Sequence, residues 1–568
     1  MKKIKDKRQT KSVYPILISI LIIIVITGIC YAPALRNDFT NWDDDKYVYE
    51  NPILKLPPAQ AIPKMFAEPY YLLYTPLTLL SYGLDYWYQG KEARYFIRTQ
   101  IGLHILNSIL VFLLILLMLK AWKGALLGAL FFALHPMHVE SVAWISERKD
   151  VLYALFFLAS MLSWLMYLKE GNRMYYALSW VLFLGSCFSK PSAVILPVIL
   201  LTLDYLYKER IVWKNLWEKT PFFILSLIFG WILLFGVETQ GGKTHSEDFS
   251  SHSFEAWENV LLAIYSYVWY PVKMIWPYPL SAFYAYPLNT MPLPWYIHAS
   301  PVVLILIAGN GFWAWKKKHR PLLFALAFYT IAIFLFVKIL TTVGALTYDR
   351  YFYVASFGFC YLAGWSIEQM HVGERFKKWL MIIFAIILLI WAGMSRQRTE
   401  VWKNSYVLMS DMLRMYPLHL PFAYNNRGLW LMGEGRLEEA VENFSRAIQI
   451  DPAAPNAYLN TGKAFGQLQM PDSAIKYLEI SLKLNPGDSK VYNNLGNAYG
   501  IKGDFEQARS AFQKSLSIDS NNDNALYNLA VTYALTGDTL TADSIMVESA
   551  RKGNQGARNS LSSRGKPW

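Results

Sequence analysis

Long stretches without charge fill the chain up to about residue 395, after which a beat of 34 residues takes over. The uncharged runs are 13–35, 101–119, 124–139, 151–168, 174–189, 191–203, 221–237, 295–315, 321–337, 351–367 and 379–395. Crossing ~30 Å of hydrocarbon takes roughly 20 helical residues, fewer where neighbours bury the ends. The runs therefore predict eleven spans. Lys2, Lys3, Lys5, Lys7 and Arg8 precede the first run, and Ala32-Pro33-Ala34 follows it, as in a secretory signal. Its apolar length exceeds the roughly 7–15 residues of such a signal, so it is read as a retained span. Two further apolar stretches, 70–84 and 260–272, are read as helices lying on or dipping into the outer face, where Trp and Tyr are at home.

The second rhythm is stricter. Tyr424, Tyr458, Tyr492 and Leu526 are 34 apart, as are Ala440, Ala474, Ala508 and Ala542, and Gly428, Gly462 and Gly496. Small residues at that period, with Pro between units, are the tetratricopeptide signature. Three complete repeats and a shorter fourth are expected to stack as an α-solenoid, with a polar, unstructured tail at 553–568. The fold class is then all-α: a polytopic membrane domain over 1–398, its first outer loop at 35–95, and repeats over 399–552.

Composition agrees, with 54% apolar, 16% aromatic and only 17% charged residues. That balance excludes a disordered or fibrous chain. The three cysteines sit in apolar runs and make no disulfide framework. From residue 415 on, 15 Lys and Arg meet 15 Asp and Glu, so the whole net charge of +13 belongs to the apolar part. Such an excess suits cytoplasmic loops or anionic lipid better than nucleic acid. With the N-terminus cytoplasmic, Lys120/Lys123, Lys169/Arg173, Lys208/Arg210/Lys214/Lys219, Lys316–Lys318/Arg320 and Arg375/Lys377/Lys378 fall inside, provided 260–272 does not cross. The repeats then lie outside, on the extracytoplasmic or periplasmic side of the plasma membrane.

Chemistry concentrates on that outer face. Asp43, Asp44 and Asp45 follow Asn41-Trp42 directly after the first span. Adjacent carboxylates near an apolar surface push at least one pKa up, which suits a general base, although a solvated acidic turn has the same sequence. His135, His138, Glu140 and Glu147 join the third run to the fourth. Pro136 interrupts the histidine pair and no third ligand is well spaced, so the reading is acceptor-side or supporting roles and no metal. Arg148, Lys149, Lys190 and Arg350 break the charge rule, each at the start of a span descending from outside. Cations there, beside free helix N–H groups, make a phosphate site; snorkelling to lipid headgroups is the plain alternative. A base, a cation cluster and an aromatic interface together fit transfer of a sugar from a polyprenyl-phosphate donor, with no further cofactor.

Asn41-Trp42-Asp43-Asp44, Pro76-Leu77-Thr78 with Leu84-Asp85-Tyr86, His104 with Asn107, His135 through Asp150, Ser189-Lys190-Pro191 with Leu203-Asp204-Tyr205, and Asp349-Arg350-Tyr351 carry a resemblance. The chain resembles bacterial relatives of the transmembrane and tetratricopeptide-repeat O-mannosyltransferases, within the polytopic type C glycosyltransferases. The resemblance implies that Asp43 and Asp44 are the catalytic motif. It also implies a polyprenyl-phosphate hexose donor, with mannose as the precedent, inversion at the sugar, and an acceptor such as a protein hydroxyl. Asp45 leaves open which carboxylate is the base. The repeats, through Tyr458, Asn460, Asn493, Asn494 and Asn528, would receive an acceptor polypeptide or glycan. A lipid-linked oligosaccharide ligase and a non-enzymatic repeat scaffold remain alternatives. A flippase fits less well, since ionisable groups at mid-membrane depth are few, chiefly Asp204 and Lys338.

Overall fold

The computed structural model describes residues 13–71, 73–208, 213–235, 254–288, 290–337, 344–370 and 373–568. The basic residues before 13, Arg210 and Lys338 lie outside them. Contacts divide the chain at Leu408/Met409 into a membrane unit and a repeat unit.

The membrane unit is a bundle of helices. By length and composition, six described segments are able to cross a membrane: Tyr14–Arg36, Ala93–Leu119, Ile145–Glu170, Pro191–Lys208, Trp295–Lys316 and Arg375–Trp402. A seventh is broken, with Trp122–Leu134 and Pro136–Ala143 meeting at 52°. Pro136 has no N–H to continue the helix, and the His135 side chain accepts the Met137 N–H in its place. The runs at 221–237 and 321–337 give shorter apolar helices, Thr220–Leu234 and Arg320–Phe334. Two others give Arg173–Ser189 and, after a short helix Phe352–Ala355, Phe357–Gln369. Among the described residues, the eleven apolar runs thus supply six or seven segments of spanning length. Helices Trp122–Leu134 and Phe357–Gln369 touch backbone to backbone: a Cβ on Gly124 would lie 2.6 Å from the Gly364 carbonyl oxygen.

Two expectations need correction here, and a third stretch is helical as expected. The stretch 70–84 is not one helix: Tyr70 and Leu73 exchange backbone hydrogen bonds in a tight turn, and the helix Pro76–Gln89 starts only where Pro fits its first position. Lys219, counted above as a loop charge, is fully buried with Asp204 at 2.5 Å. Asp204 also accepts from Asn215 and the Trp164 indole, so it is a satisfied internal pair and not a pathway group. The stretch 260–272 belongs to a 20-residue helix, Ala256–Ile275, which closes its N-terminus with a Glu255/Glu258 capping box.

The repeat unit pairs Pro421–Gly433 with Leu437–Ile450, Pro455–Gln467 with Pro471–Leu484, Ser489–Lys502 with Phe505–Ile518, and Asp523–Leu535 with Thr539–Lys552. Each glycine of the 34-residue column faces a large side chain 16 residues on. A Cβ at Gly428, Gly462 or Gly496 would meet Phe444, Leu478 or Phe512 within 2.6 Å. In the fourth pair Ala530 takes that place against Met546. The fourth repeat is therefore not shortened: its helices have 13 and 14 residues, as in the second. The tail is not disordered either. Asn554 caps a helix, Gln555–Ser563, whose Ala557 and Leu561 are fully buried against the last pair. These two apolar residues, four apart, pack on Ala530, Met546 and Ala550 of that pair.

Candidate functional site

The chain leaves its first span by a 3-10 turn, Ala32–Arg36, and reaches the aspartates through an extended segment. The three carboxylates then part company. Asp44 is 1% exposed and saturated. One oxygen accepts from the Thr40 N–H at 2.8 Å and its hydroxyl at 2.9 Å; the other accepts from the Ser146 N–H at 2.9 Å and its hydroxyl at 2.5 Å. Burial pushes Asp44 up to about 6 against those four bonds. It ties the first loop to the 3-10 turn Ile145–Glu147 and has no lone pair to spare for an incoming proton. Asp45 lies at the surface, 2.9 Å from Lys46.

Asp43 is different. Its φ is +73°, in the left-handed region that Asp tolerates better than most residues. One oxygen accepts a long 3.4 Å bond from the Tyr71 hydroxyl, and Tyr71 is itself at φ +60°. Two left-handed non-glycine residues that hydrogen-bond each other mark a place where the surroundings hold strain. Burial raises the pKa of Asp43; Lys149 lowers it, Glu147 raises it, Arg350 lowers it and Asp45 raises it, in falling order. Asp43 is thus the carboxylate of the three that sits in the field of the cations.

Those cations separate too. Lys149, Lys190 and Arg350 converge on Glu147, at 3.0 Å, 4.0 Å and 3.4 Å respectively. Arg350 also grips Glu140, through its guanidinium and through its backbone N–H at 3.0 Å, and Lys190 pairs with Asp150. Arg350 is the most open of the three, its side chain 12% exposed against 10% for Lys190 and 9% for Lys149. The Trp144 indole lies within cation–π reach of both Lys149 and Arg350, and Tyr47 lies under Lys149. Arg148 does not join them. Its side chain is fully buried, 2.6 Å from Asp85, bonded to the Ser81 and Phe96 carbonyls and stacked on Tyr82. Successive helical residues point about 100° apart, so Arg148 serves the interior and Lys149 the site. Its expected phosphate role is corrected accordingly.

His135 and His138 are also interior. His135 Nε2 bonds the Met274 carbonyl at 3.1 Å, and His138 Nδ1 bonds the Phe132 carbonyl at 2.7 Å. Each is at most 1% exposed, which leaves them a supporting role and no acceptor contact. Among the described residues, no three His, Cys, Asp or Glu side chains are grouped to hold a metal ion. Behind them, His104 and Asn107 both bond the Tyr353 hydroxyl, fixing the helix Ala93–Leu119 against the short helix Phe352–Ala355, which follows the 3-10 turn Asp349–Tyr351 that carries Arg350. Asp349 turns to the Tyr284 hydroxyl, 2.9 Å away. Asp85 and Asp150 enter the sequence reading only within the stretches that carry the resemblance, with no role assigned; each proves to be the partner of a buried cation. Asp85 is a lone acid in an uncharged stretch, a signal that it needs a buried cation, whereas Asp150 is masked by the charged neighbours Glu147, Arg148 and Lys149.

In the repeats, the amides named above are partly spent on each other. Asn460 donates to Asn425 at 2.8 Å, Asn528 to Asn493 at 3.0 Å, and Asn494 to the Lys490 carbonyl. Tyr458 is 9% exposed and packs near Tyr477. A groove of about 520 Å³ runs along the first helices of the last three pairs, lined by Lys463, Gln467, Asn494, Asn497, Asn528 and Leu535 among others.

Family models of the tetratricopeptide repeat match residues 428–469, 489–522 and 511–543. Over 77% of its length the chain is 25% identical to protein O-mannosyl-transferase F38B6.6 of Caenorhabditis elegans, covering 63% of that protein. It is 21% identical to protein O-mannosyl-transferase TMTC3 of Homo sapiens over 79% of its length, covering 53% of that protein. The chain therefore spans between about half and two thirds of the length of these relatives. Among solved structures, a crystal structure of MamA aligns at 21% identity and a TM-score of 0.25, over 29% of this chain and 96% of its own.

Proposed function

We propose that this chain, a homologue of the transmembrane protein O-mannosyl-transferases that carries tetratricopeptide repeats, is itself a mannosyltransferase acting on protein hydroxyls. The donor is a polyprenyl-phosphate mannose and the reaction faces the extracytoplasmic side. The observation that carries the reading is Asp43: a carboxylate with one long hydrogen bond, held in a strained backbone, within the field of Lys149 and Arg350.

Asp43 takes the proton of the acceptor hydroxyl as its oxygen attacks C1 of the sugar from the face opposite the phosphate. The bond from C1 to the phosphate oxygen breaks, the sugar inverts, and polyprenyl phosphate leaves with the electron pair. Arg350, Lys190 and Lys149 meet the charge that builds on it. Glu147, Glu140 and Asp150 hold the three cations in place beforehand, so the donor phosphate enters a preset cluster.

The decisive assay supplies the purified full chain with labelled polyprenyl-phosphate mannose and a Ser/Thr-rich peptide. Labelled peptide and polyprenyl phosphate should appear in equal amounts. Transfer from a soluble nucleotide sugar alone, or none at all, refutes the reading.

A pH profile follows from the same site. The base works ionised, and burial holds its pKa above the ordinary carboxylate range. The acid limb of kcat should therefore lie above that range, with activity lost as pH falls through it. Lys149→Ala removes the leading influence that lowers the Asp43 pKa, so the limb should move to still higher pH. Profiles of kcat for the two proteins test this, and an unmoved limb contradicts the assignment of Asp43.

A further inference from the structure

Resting on Asp43 as the base, we infer that the short segment 399–405 is a positioning element for it, with Trp402 its keystone. This segment is where the chain leaves the membrane unit, and it lies some 360 residues from the loop it holds. Asn37 donates its side-chain amide to the Thr399 carbonyl at 2.9 Å. The Asp38 N–H reaches the Lys403 carbonyl at 2.8 Å, and the Asn41 N–H reaches the Ser405 hydroxyl at 2.8 Å. Beside these bonds the Trp402 ring lies parallel to Trp42, 6.4 Å away and tilted by 3°, and stacks on Trp144 at 5.2 Å. Trp42 and Trp144 stack at 4.8 Å, and the Trp144 indole N–H donates to the Trp42 carbonyl. The three indoles form one block in which Trp402 is 1% exposed.

Trp42 is the residue before Asp43. A left-handed Asp persists only where its neighbours over-determine it. On the C-terminal side Asp44 does this, through Thr40 and Ser146. On the N-terminal side the work falls to the indole block and the three bonds to 399–405. Trp402 stacks on Trp42 and Trp144, and it is through these two rings that it acts. The latter also lies under Arg350, at 5.4 Å. One ring from the far end of the membrane unit thus sets the register of base against cation. A base displaced by an ångström loses rate while the substrates still bind.

The test uses the full-length protein in lipid nanodiscs. Trp402→Ala should lower kcat, counted per folded molecule, about tenfold or more, with KM for donor and acceptor changed less than about twofold. Trp402→Phe, which keeps a ring in the stack, should recover more than half of the wild-type kcat. Amide exchange over residues 37–47 should quicken in Trp402→Ala and stay at the wild-type rate through the repeats. Wild-type kcat in Trp402→Ala, or a loss no greater than the unfolded fraction, overturns the inference and leaves the mannosyltransferase reading standing. If the wild-type chain transfers no sugar yet the loop exchange still quickens, the functional reading fails while the anchoring of the loop by Trp402 holds.

Discussion

Asp43→Asn should abolish transfer, by about 10²–10⁴ in kcat or more, in a protein that folds and inserts as the wild type does. Asn has nearly the shape of Asp and accepts the same left-handed backbone, so φ +73° costs it nothing new. Its amide oxygen still receives the Tyr71 hydroxyl. What it loses is the ability to take a proton. Asp44→Asn is the informative contrast. There, four donors converge on two oxygens. An amide –NH2 would face either Thr40 or Ser146 donors, leaving a buried backbone N–H without an acceptor at about 1–3 kcal/mol. The expected outcome is a lower Tm together with reduced activity, the two falling in step. Turnover and thermal unfolding measured on both variants decide between the carboxylates. An active Asp43→Asn beside an inactive Asp44→Asn of wild-type Tm would exchange their roles.

How far the sequence reveals these roles depends on the range of the interactions. The repeats are legible because each column of the 34-residue period is one contact repeated: Gly428 on Phe444 recurs as Gly462 on Leu478 and Gly496 on Phe512. The gathering of Lys149, Lys190 and Arg350 is legible as well, since each stands where an apolar run begins. What stays hidden is rotation and pairing. Nothing in Glu147-Arg148-Lys149-Asp150 says which base faces inward, because that depends on Asp85, some 60 residues earlier. Nor does a run of three aspartates announce that Ser146 will saturate the middle one. Tyr71 and Trp402 reach Asp43 and its loop only through the tertiary fold, and Tyr70–Leu73 reads as the start of a helix until its turn closes. The tail misled by composition: its Gly, Asn, Ser and Arg outweigh the two apolar residues, Ala557 and Leu561, that are buried against the last pair.

Arg148 supplies the largest expected loss of stability, and it separates an interior ion pair from a donor-binding one. Its side chain is fully buried and that of Asp85 is 5% exposed. The helix Pro76–Gln89 and the helix Arg148–Glu170 are bolted together by this pair and by the Ser81 carbonyl. Deleting one partner strands the other charge, a penalty of about 3–5 kcal/mol, and Arg148→Ala further loses the stack on Tyr82. The variant should therefore unfold at a much lower temperature or fail to accumulate. Asp85 accepts from Thr99 at 2.8 Å as well, so its carboxylate would not be left wholly bare, which places the loss toward the lower end of that range. Removing both charges tells the two roles apart. Asp85→Leu with Arg148→Met fills similar volume with apolar atoms, and such exchanges are often neutral or stabilising. The double variant should recover most of the thermal stability and, with it, the wild-type KM for the lipid donor. A double variant that folds normally but binds donor poorly would return Arg148 to the phosphate cluster; one that folds and turns over leaves Lys149, Lys190 and Arg350 as the cations of the reaction.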